Sequence, residues 1–76
     1  MTHVYSTLDL AWIGDNLHLG RGRRLLGIVP DVSYPEMWRV ELPDGHLTDM
    51  VNRVRAKDAA MAHALRMLNP RPKKGH

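Results

Sequence analysis

The sequence predicts an α+β fold in which a small antiparallel β-sheet of three to five strands packs on one C-terminal α-helix. Three observations lead to this fold class. Apolar residues alternate along short segments before residue 52, glycine and proline separate those segments, and an alanine-rich stretch follows at 55–68. Alternation with a period of two is typical of strands, whereas alanine and leucine favour helices. Strands followed by a helix indicate a sheet that is covered on one face.

The length of 76 residues predicts one domain, because so short a chain buries only ~60% of the surface that it exposes when unfolded. We predict a loose start over residues 1–7, a single domain over residues 8–69 and a disordered basic tail over residues 70–76. Cysteine is absent, so neither disulfides nor metal sites with thiolate ligands can stabilise the fold. With no signal-peptide pattern and no apolar run near the ~20 residues that span a bilayer, a cytoplasmic protein is expected.

The first predicted hairpin occupies residues 9–19. Apolar side chains alternate at Leu8, Leu10 and Trp12, and the alternation resumes after residues 14–16, which tolerate the positive φ of a turn. A third strand is predicted over residues 23–29, where Pro30 stops it and a surface connection follows. These segments supply the first half of the sheet.

A second hairpin is predicted around a turn at residues 43–45. Proline suits the second position of a type I turn, and the glycine at its end can take the positive φ of a three-residue loop. Counting outward from this turn places Trp38 opposite Met50 and Arg39 opposite Asp49. The second pair would be a cross-strand ion pair worth ~0.2–1 kcal/mol. The core side of this hairpin is expected to carry Trp38, Val40, Leu42 and Met50.

Two interpretations of residues 46–52 stay open. In the first, these residues form a strand, and a helix follows from Arg55 until Pro70 prevents its continuation. In the second, one helix runs from about Asp49 to residue 68, because apolar residues recur there at helical spacing and Thr48 suits an N-cap. The first is favoured because Lys57 and its neighbour interrupt the apolar stripe. The helix is expected to face the sheet with Met61, Ala64, Leu65 and Leu68.

The charge distribution separates the tail from the domain. Eight basic and eight acidic residues precede Pro70, so the domain is neutral, and the formal excess of +3 lies in the tail. Within the domain, the densest basic cluster surrounds Gly22. Arginine forks suit bidentate contacts to phosphate or guanine, and the glycine would let a ligand approach the backbone.

A family resemblance covers about residues 37–65. Residues 38–42 (Trp-Arg-Val-Glu-Leu), Gly45 and residues 55–60 (Arg-Ala-Lys-Asp-Ala-Ala) resemble the plant ethylene-response type of DNA-binding domain. The same residues are similar to the arm-binding domain of phage tyrosine integrases. The resemblance implies three antiparallel strands on one helix, with the exposed sheet face entering the major groove. It places Arg39 on the DNA side, together with an arginine of the preceding strand.

Two functions remain open at this point. The first is a non-enzymatic binding module with a protein-interaction or structural role, including a homodimer formed through a sheet edge or through the surface of Tyr34, Met37 and Val51. The alternative is DNA binding through a basic sheet face and the tail. No metal site is expected, because the five histidines share no ligand spacing. No catalytic residue is expected, because nothing indicates a base, a nucleophile and oxyanion donors around one pocket. No cofactor, small-molecule substrate or membrane contact is expected either. The candidate nucleic-acid contacts are Arg21, Arg23, Arg24, Arg39, Lys73 and Lys74.

Overall fold

The computed structural model describes residues 4–69, and over this range it has the predicted α+β architecture. Four antiparallel strands lie in the order β1-β2-β3-β4, and one C-terminal helix packs against β3 and β4. The elements are a short 3₁₀ turn at Thr7–Asp9, β1 (Leu10–Ile13), β2 (Asn16–Leu19), β3 (Arg24–Pro30), β4 (Trp38–Glu41) and α1 (Arg53–Leu68).

The first three strands are joined by tight turns that glycine makes accessible. Ile13 pairs with Asn16, so the β1–β2 loop has two residues, and Gly14 takes a φ of 63° there. The register between β2 and β3 shifts after Leu17, which leaves Leu25 without a partner in β2 and buries it in the core. A bulge of this kind bends the strand and raises its local twist.

The hairpin after β4 follows the predicted register near its turn and departs from it further out. The Leu42 N–H donates to the His46 carbonyl at 2.9 Å, and Gly45 has a φ of 89°, which confirms the three-residue loop. At the far end, however, Trp38 pairs with Val51 and not with Met50. One extra residue therefore lies on the outer segment, as we call residues 46–52, and it forms a bulge opposite Arg39.

The bulge corrects two predictions. Met50 is exposed instead of contributing to the core, and Val51 packs against the core in its place. The outer segment forms two isolated bridges to β4, and α1 begins only at Arg53, so the interpretation as one long helix is wrong. Asn52 caps α1, because its side chain accepts the Arg55 N–H at 2.8 Å.

The core lies between the sheet and α1. The helix buries alanines at every fourth position. Of the predicted stripe, Ala64 is buried, but Met61, Leu65 and Leu68 are only half-buried, so the face that meets the sheet is shifted towards the alanines. Small side chains let the helix axis approach the sheet closely, which suits a domain with few large apolar residues. The buried residues are Leu17, Leu25, Leu26, Ile28, Val40, Ala56, Ala60 and Ala64.

The two ends of the described chain are joined. The Tyr5 N–H donates to Asn69 Oδ1 at 2.9 Å, and Asn69 Nδ2 donates to the Tyr5 carbonyl at 2.8 Å. Ser6 then caps the 3₁₀ turn, and Leu8 lies in that turn with 94% of its surface exposed, so its predicted place in a strand is wrong. The loose start was predicted over 1–7, of which 1–3 lie outside the described residues. Between residues 4 and 69, no helix is long and apolar enough to cross a membrane.

Candidate functional site

The open face of the sheet, opposite α1, carries a polar network centred on Arg24. Its Nε donates to Asn16 Oδ1 at 2.7 Å, and its Nη2 donates to Glu41 Oε1 at 3.0 Å. Gly27 pairs with both Asn16 and Glu41 in the register, and a Cβ built on it would lie 2.7 Å from Arg24 Nη2. The Arg24 side chain thus lies over Gly27 and links β3 to β2 and β4. The Glu41 carboxylate neutralises its charge.

Arg39, on the same face, links the β3–β4 connection to the outer segment. Its Nε donates to Asp31 Oδ1 and its Nη1 to the Thr48 carbonyl, both at 2.8 Å. This ion pair replaces the one predicted with Asp49, because the bulge moves the outer segment out of register. Only 10% of the Asp31 side chain is exposed, and its other oxygen accepts the Ser33 N–H. The hydrogen bond from Arg39 lowers the pKa of the Asp31 carboxyl, while burial opposes this shift.

These contacts affect the predicted nucleic-acid interface. Arg24 and Arg39 both lie on the open face of the sheet, but each guanidinium group is already bound to a carboxylate. A phosphate that approached this face would compete with Glu41 for one arginine and with Asp31 for the other. Sequence reasoning missed both pairs, although a glycine inside a strand pattern, such as Gly27, does indicate a close approach of other groups.

The remaining described candidates lie at the β2–β3 turn. Arg21 and Arg23 are exposed, and neither forms an ion pair within residues 4–69. Three contacts hold the turn: the Leu19 N–H donates to the Arg23 carbonyl at 3.1 Å, the Gly22 N–H donates to the Leu19 carbonyl at 2.8 Å, and His18 Nδ1 lies 3.0 Å from the Gly22 carbonyl oxygen. Arg21 and Arg23 thus lie in the turn without an ion-pair partner in the described part of the chain, whereas Arg24 and Arg39 are paired on the open face of the sheet. Lys73 and Lys74 lie outside the described residues.

A second candidate surface lies at the Trp38 end of β4. Trp38 and Val51 exchange backbone hydrogen bonds of 2.7 and 2.9 Å, which brings the loop before β4 next to the start of α1. A groove of about 770 Å³ is bordered there by Val51, Val54 and Ala59, with Arg53, Arg55 and Asp58 at its rim. A smaller groove of about 390 Å³ runs along Tyr34 and Met37. Val54 and Tyr34 expose 70% and 61% of their surfaces.

Each tryptophan flanks the first turns of α1 and carries a cation over its ring. The Arg53 guanidinium carbon lies 5.1 Å from the Trp38 centroid, and Lys57 Nζ lies 5.0 Å from the Trp12 centroid. Arg53 also forms an ion pair of 2.7 Å with Asp15 in the β1–β2 turn. Both indole rings pack against the core. These contacts fix the start of α1 over the sheet and leave the ring faces covered.

His63 lies on α1 and is half-buried beside Arg66. Burial lowers the pKa of its imidazole, and the positive charge of Arg66 lowers it further. Arg66 Nη2 lies 2.9 Å from His63 Nδ1, and a neutral ring can accept this hydrogen bond. His63 borders a cleft of about 360 Å³ together with Pro43 and Met67. Within residues 4–69, no three His, Asp or Glu side chains lie close enough to share a metal ion.

No protein-family model matches the chain, and no curated protein or solved structure matches it either. The proposals that follow therefore rest on the contacts and charges of its own residues.

Proposed function

We propose that this protein is a small non-enzymatic binding module that acts by contacting another protein. The contact surface is the outer apolar surface, which we define as Tyr34, Met37, Val51 and Val54. The observation that carries the proposal is the 70% exposure of Val54 above an apolar groove at the start of α1. Apolar surface of this kind, bordered by charged groups, is typical of protein-interaction sites.

Two features favour the outer apolar surface, rather than the open face of the sheet, as the contact site. The Trp38–Val51 pair and the cation stacked on Trp38 hold the outer apolar surface in place, so a partner would meet a preformed site. Arg55 adds an exposed positive charge at its rim. On the open face, by contrast, Arg24 and Arg39 are both engaged in ion pairs.

The test replaces Val54 by aspartate, with Val4→Asp as the matched control. Val4 is the same residue type with a similar exposure of 75%, and it lies at the other end of the chain. Aspartate is favourable in the first turn of a helix, so Val54→Asp should remain folded. A photo-crosslinking residue at position 54 is expected to capture a partner in cells that one at position 4 does not.

The captured protein is then purified, and its affinity is measured by calorimetry. We expect Val54→Asp to weaken binding at least ~10-fold, because a buried charge without a partner is costly, and Val4→Asp to leave it unchanged. Capture of a second copy of this chain, with concentration-dependent sedimentation, would identify the interaction as a homodimer. Equal crosslinking at both positions, together with a monomer at all concentrations, would refute the proposal.

Nucleic-acid binding is a second candidate, favoured by one observation: Arg21 and Arg23 are exposed, with no carboxylate partner in the described part of the chain. Exposed arginines of this kind are the groups that contact phosphates. The first test measures binding of the wild-type protein to a short DNA duplex. We expect binding at about 50 mM salt and a lower affinity at about 200 mM salt. Absence of binding at the lower concentration would reject this candidate.

A further inference from the structure

The two edges of the sheet differ in how their backbone groups are satisfied. At the β4 edge the outer segment covers the strand: Trp38 and Val51 exchange backbone hydrogen bonds, and the Val40 N–H donates to Thr48 Oγ1 at 2.9 Å. At the other edge, β1 pairs with β2 alone within residues 4–69. One edge of the sheet is therefore closed, and the other is open.

The register of β1 shows which of its backbone groups face outward. The Gly20 N–H donates to the Asp9 carbonyl at 2.8 Å, so these two residues form a hydrogen-bonded pair between the two strands. Hydrogen-bonded and non-hydrogen-bonded pairs alternate along an antiparallel ladder, so the backbone groups of Leu10 and Trp12 point away from β2. The Leu10 N–H donates to the Thr7 carbonyl. The Leu10 carbonyl and both backbone groups of Trp12 are left without a partner among residues 4–69.

The β1 strand lacks the features that keep edge strands from pairing with another chain. Natural edges carry charges, proline or a bulge, whereas the sequence of β1 is Leu-Ala-Trp-Ile. Next to these open groups, Leu8 and Ile13 expose 94% and 53% of their surfaces. Because α1 packs mainly on β3 and β4, Leu10 and Trp12 are only half-buried on the helix side of β1. The edge thus offers both hydrogen-bonding groups and apolar side chains to an added strand.

A second copy of β1 fits this edge. It is already extended and held by its own β2, so it loses less conformational entropy on pairing than a disordered peptide would. Charge selects the register. Lys57 Nζ lies 5.0 Å from the Trp12 centroid, so antiparallel pairing of Trp12 with Trp12 would bring two ammonium groups together. Pairing Leu10 with Trp12 of the other copy moves them apart, places Ala11 on the two-fold axis and lets each Trp12 N–H donate to a Leu10 carbonyl.

We propose that two copies of this chain associate antiparallel through β1, so that their two four-stranded sheets become continuous. Both copies contribute the same residues, as in other two-fold interfaces, and Leu8 of one copy comes to lie beside Ile13 of the other. This contact is smaller than the ~1,200 Å² at the lower end of stable specific interfaces, so the dimer is expected to be weak, with a Kd above ~1 μM. It lies apart from the outer apolar surface and does not depend on that surface binding a partner.

Cysteine substitution tests the register directly, because the chain contains no cysteine. The two Ala11 residues on the axis form a non-hydrogen-bonded pair with a Cα–Cα distance of ~4.5 Å, which a disulfide can span. Ala11→Cys should therefore give a disulfide-linked dimer under mild oxidation. The matched control is Ile13→Cys, which is the more exposed position. The two Ile13 residues are displaced by four positions along the strands, or ~14 Å, which is beyond the reach of a disulfide.

Sedimentation and hydrogen exchange measure the association of the full chain at increasing concentration. The Trp12 amide should become protected as the dimer forms, whereas the Ala11 amide, which points towards β2, should change less. Ala11→Lys places two like charges on the axis and should weaken the dimer at least ~10-fold. Val54→Asp should leave the dimer unchanged, because Val54 lies on the outer apolar surface.

The possible results separate this inference from the proposed function. If Ala11→Cys and Ile13→Cys crosslink equally, the copies meet by random collision and pairing through β1 is refuted. If Val54→Asp dissociates the dimer and Ala11→Lys does not, the copies meet through the outer apolar surface, so the proposed function stands and this inference fails. A wild type that stays monomeric, with no crosslink at position 11, would also refute it. A photo-crosslinking residue at position 11 that captures only a different protein would show that the edge takes a strand of another chain and not a second copy.

Discussion

Gly27 offers the sharpest test of the polar network on the open face. A methyl group at this position would lie 2.7 Å from Arg24 Nη2, 3.0 Å from Asn16 Oδ1 and 3.0 Å from the Asp15 carbonyl oxygen. The first two atoms belong to side chains that can move. The Asp15 carbonyl cannot move freely, because it accepts the Ile28 N–H at 2.9 Å. Gly27→Ala must therefore displace Arg24 and also strain the backbone of the β1–β2 turn.

The expected magnitude follows from three contributions. Displacing Arg24 loses a partly exposed ion pair, worth ~0.2–1 kcal/mol, and a hydrogen bond to Asn16, worth ~0.5–1.5 kcal/mol. Crowding the Asp15 carbonyl costs ~1–3 kcal/mol. Alanine regains ~0.5–1 kcal/mol, because glycine loses more backbone entropy when it is fixed in a strand. Together these contributions are expected to lower the free energy of unfolding of Gly27→Ala by about 1–5 kcal/mol.

The assay is urea denaturation of four proteins: wild type, Gly27→Ala, Arg24→Ala and the double variant. In the Arg24→Ala background the methyl group no longer meets Arg24 Nη2, its nearest neighbour, so Gly27→Ala should cost at least ~0.5 kcal/mol less there than in the wild type. A loss of 1 kcal/mol would also lower Tm by about 4–8 °C in a domain of this size. An unchanged or raised stability of Gly27→Ala in the wild-type background would refute the described packing of Arg24 over the glycine.

Two further predictions concern the chain ends and acid sensitivity. Asn69→Ala removes two hydrogen bonds to Tyr5, which are worth ~1–3 kcal/mol together. Hydrogen exchange of the Tyr5 amide should therefore accelerate, and unchanged exchange would show that Asn69 does not hold Tyr5. Because Arg39 lowers the pKa of Asp31 below its ordinary 3.8, the stability from this pair is complete above pH 3.8 and is lost as the pH falls through the folded-state pKa. Arg39→Met should flatten this acid dependence in thermal melts, and equal acid dependence of both proteins would contradict the assignment.

Features fixed by neighbouring residues were the ones that the sequence predicted well. The loop at residues 43–45 and the end of the helix near Pro70 depend on the φ preferences of glycine and proline, which act locally. The separation of residues 46–52 from the helix was predicted because Lys57 interrupts the apolar stripe, and α1 does begin only at Arg53. The strand predicted over residues 46–52, however, is reduced to two isolated bridges to β4. The β-sheet with one C-terminal helix follows from these local signals together, and the structure has it.

Features that depend on tertiary packing were not predicted. Ala64 is buried against the sheet as predicted, but Ala56 and Ala60, which were predicted only as helix formers, are buried there too. The small side chains of these alanines matter only once α1 lies close to β3 and β4. No local sequence pattern indicates that close approach. The partners of Arg24 and Arg39 were missed for the same reason, since strand register decides which carboxylate lies within reach.

The bulge at Asp49 and Met50 also determines which charges remain available to a ligand. A register slip of one residue turns side chains to the opposite face, and here it separates Asp49 from Arg39, which pairs with the carboxylate of the β3–β4 connection instead. The centre of the open face is then occupied by matched charges, and its arginines are held in place. Arg21 and Arg23, in the β2–β3 turn, are exposed and form no ion pair within residues 4–69.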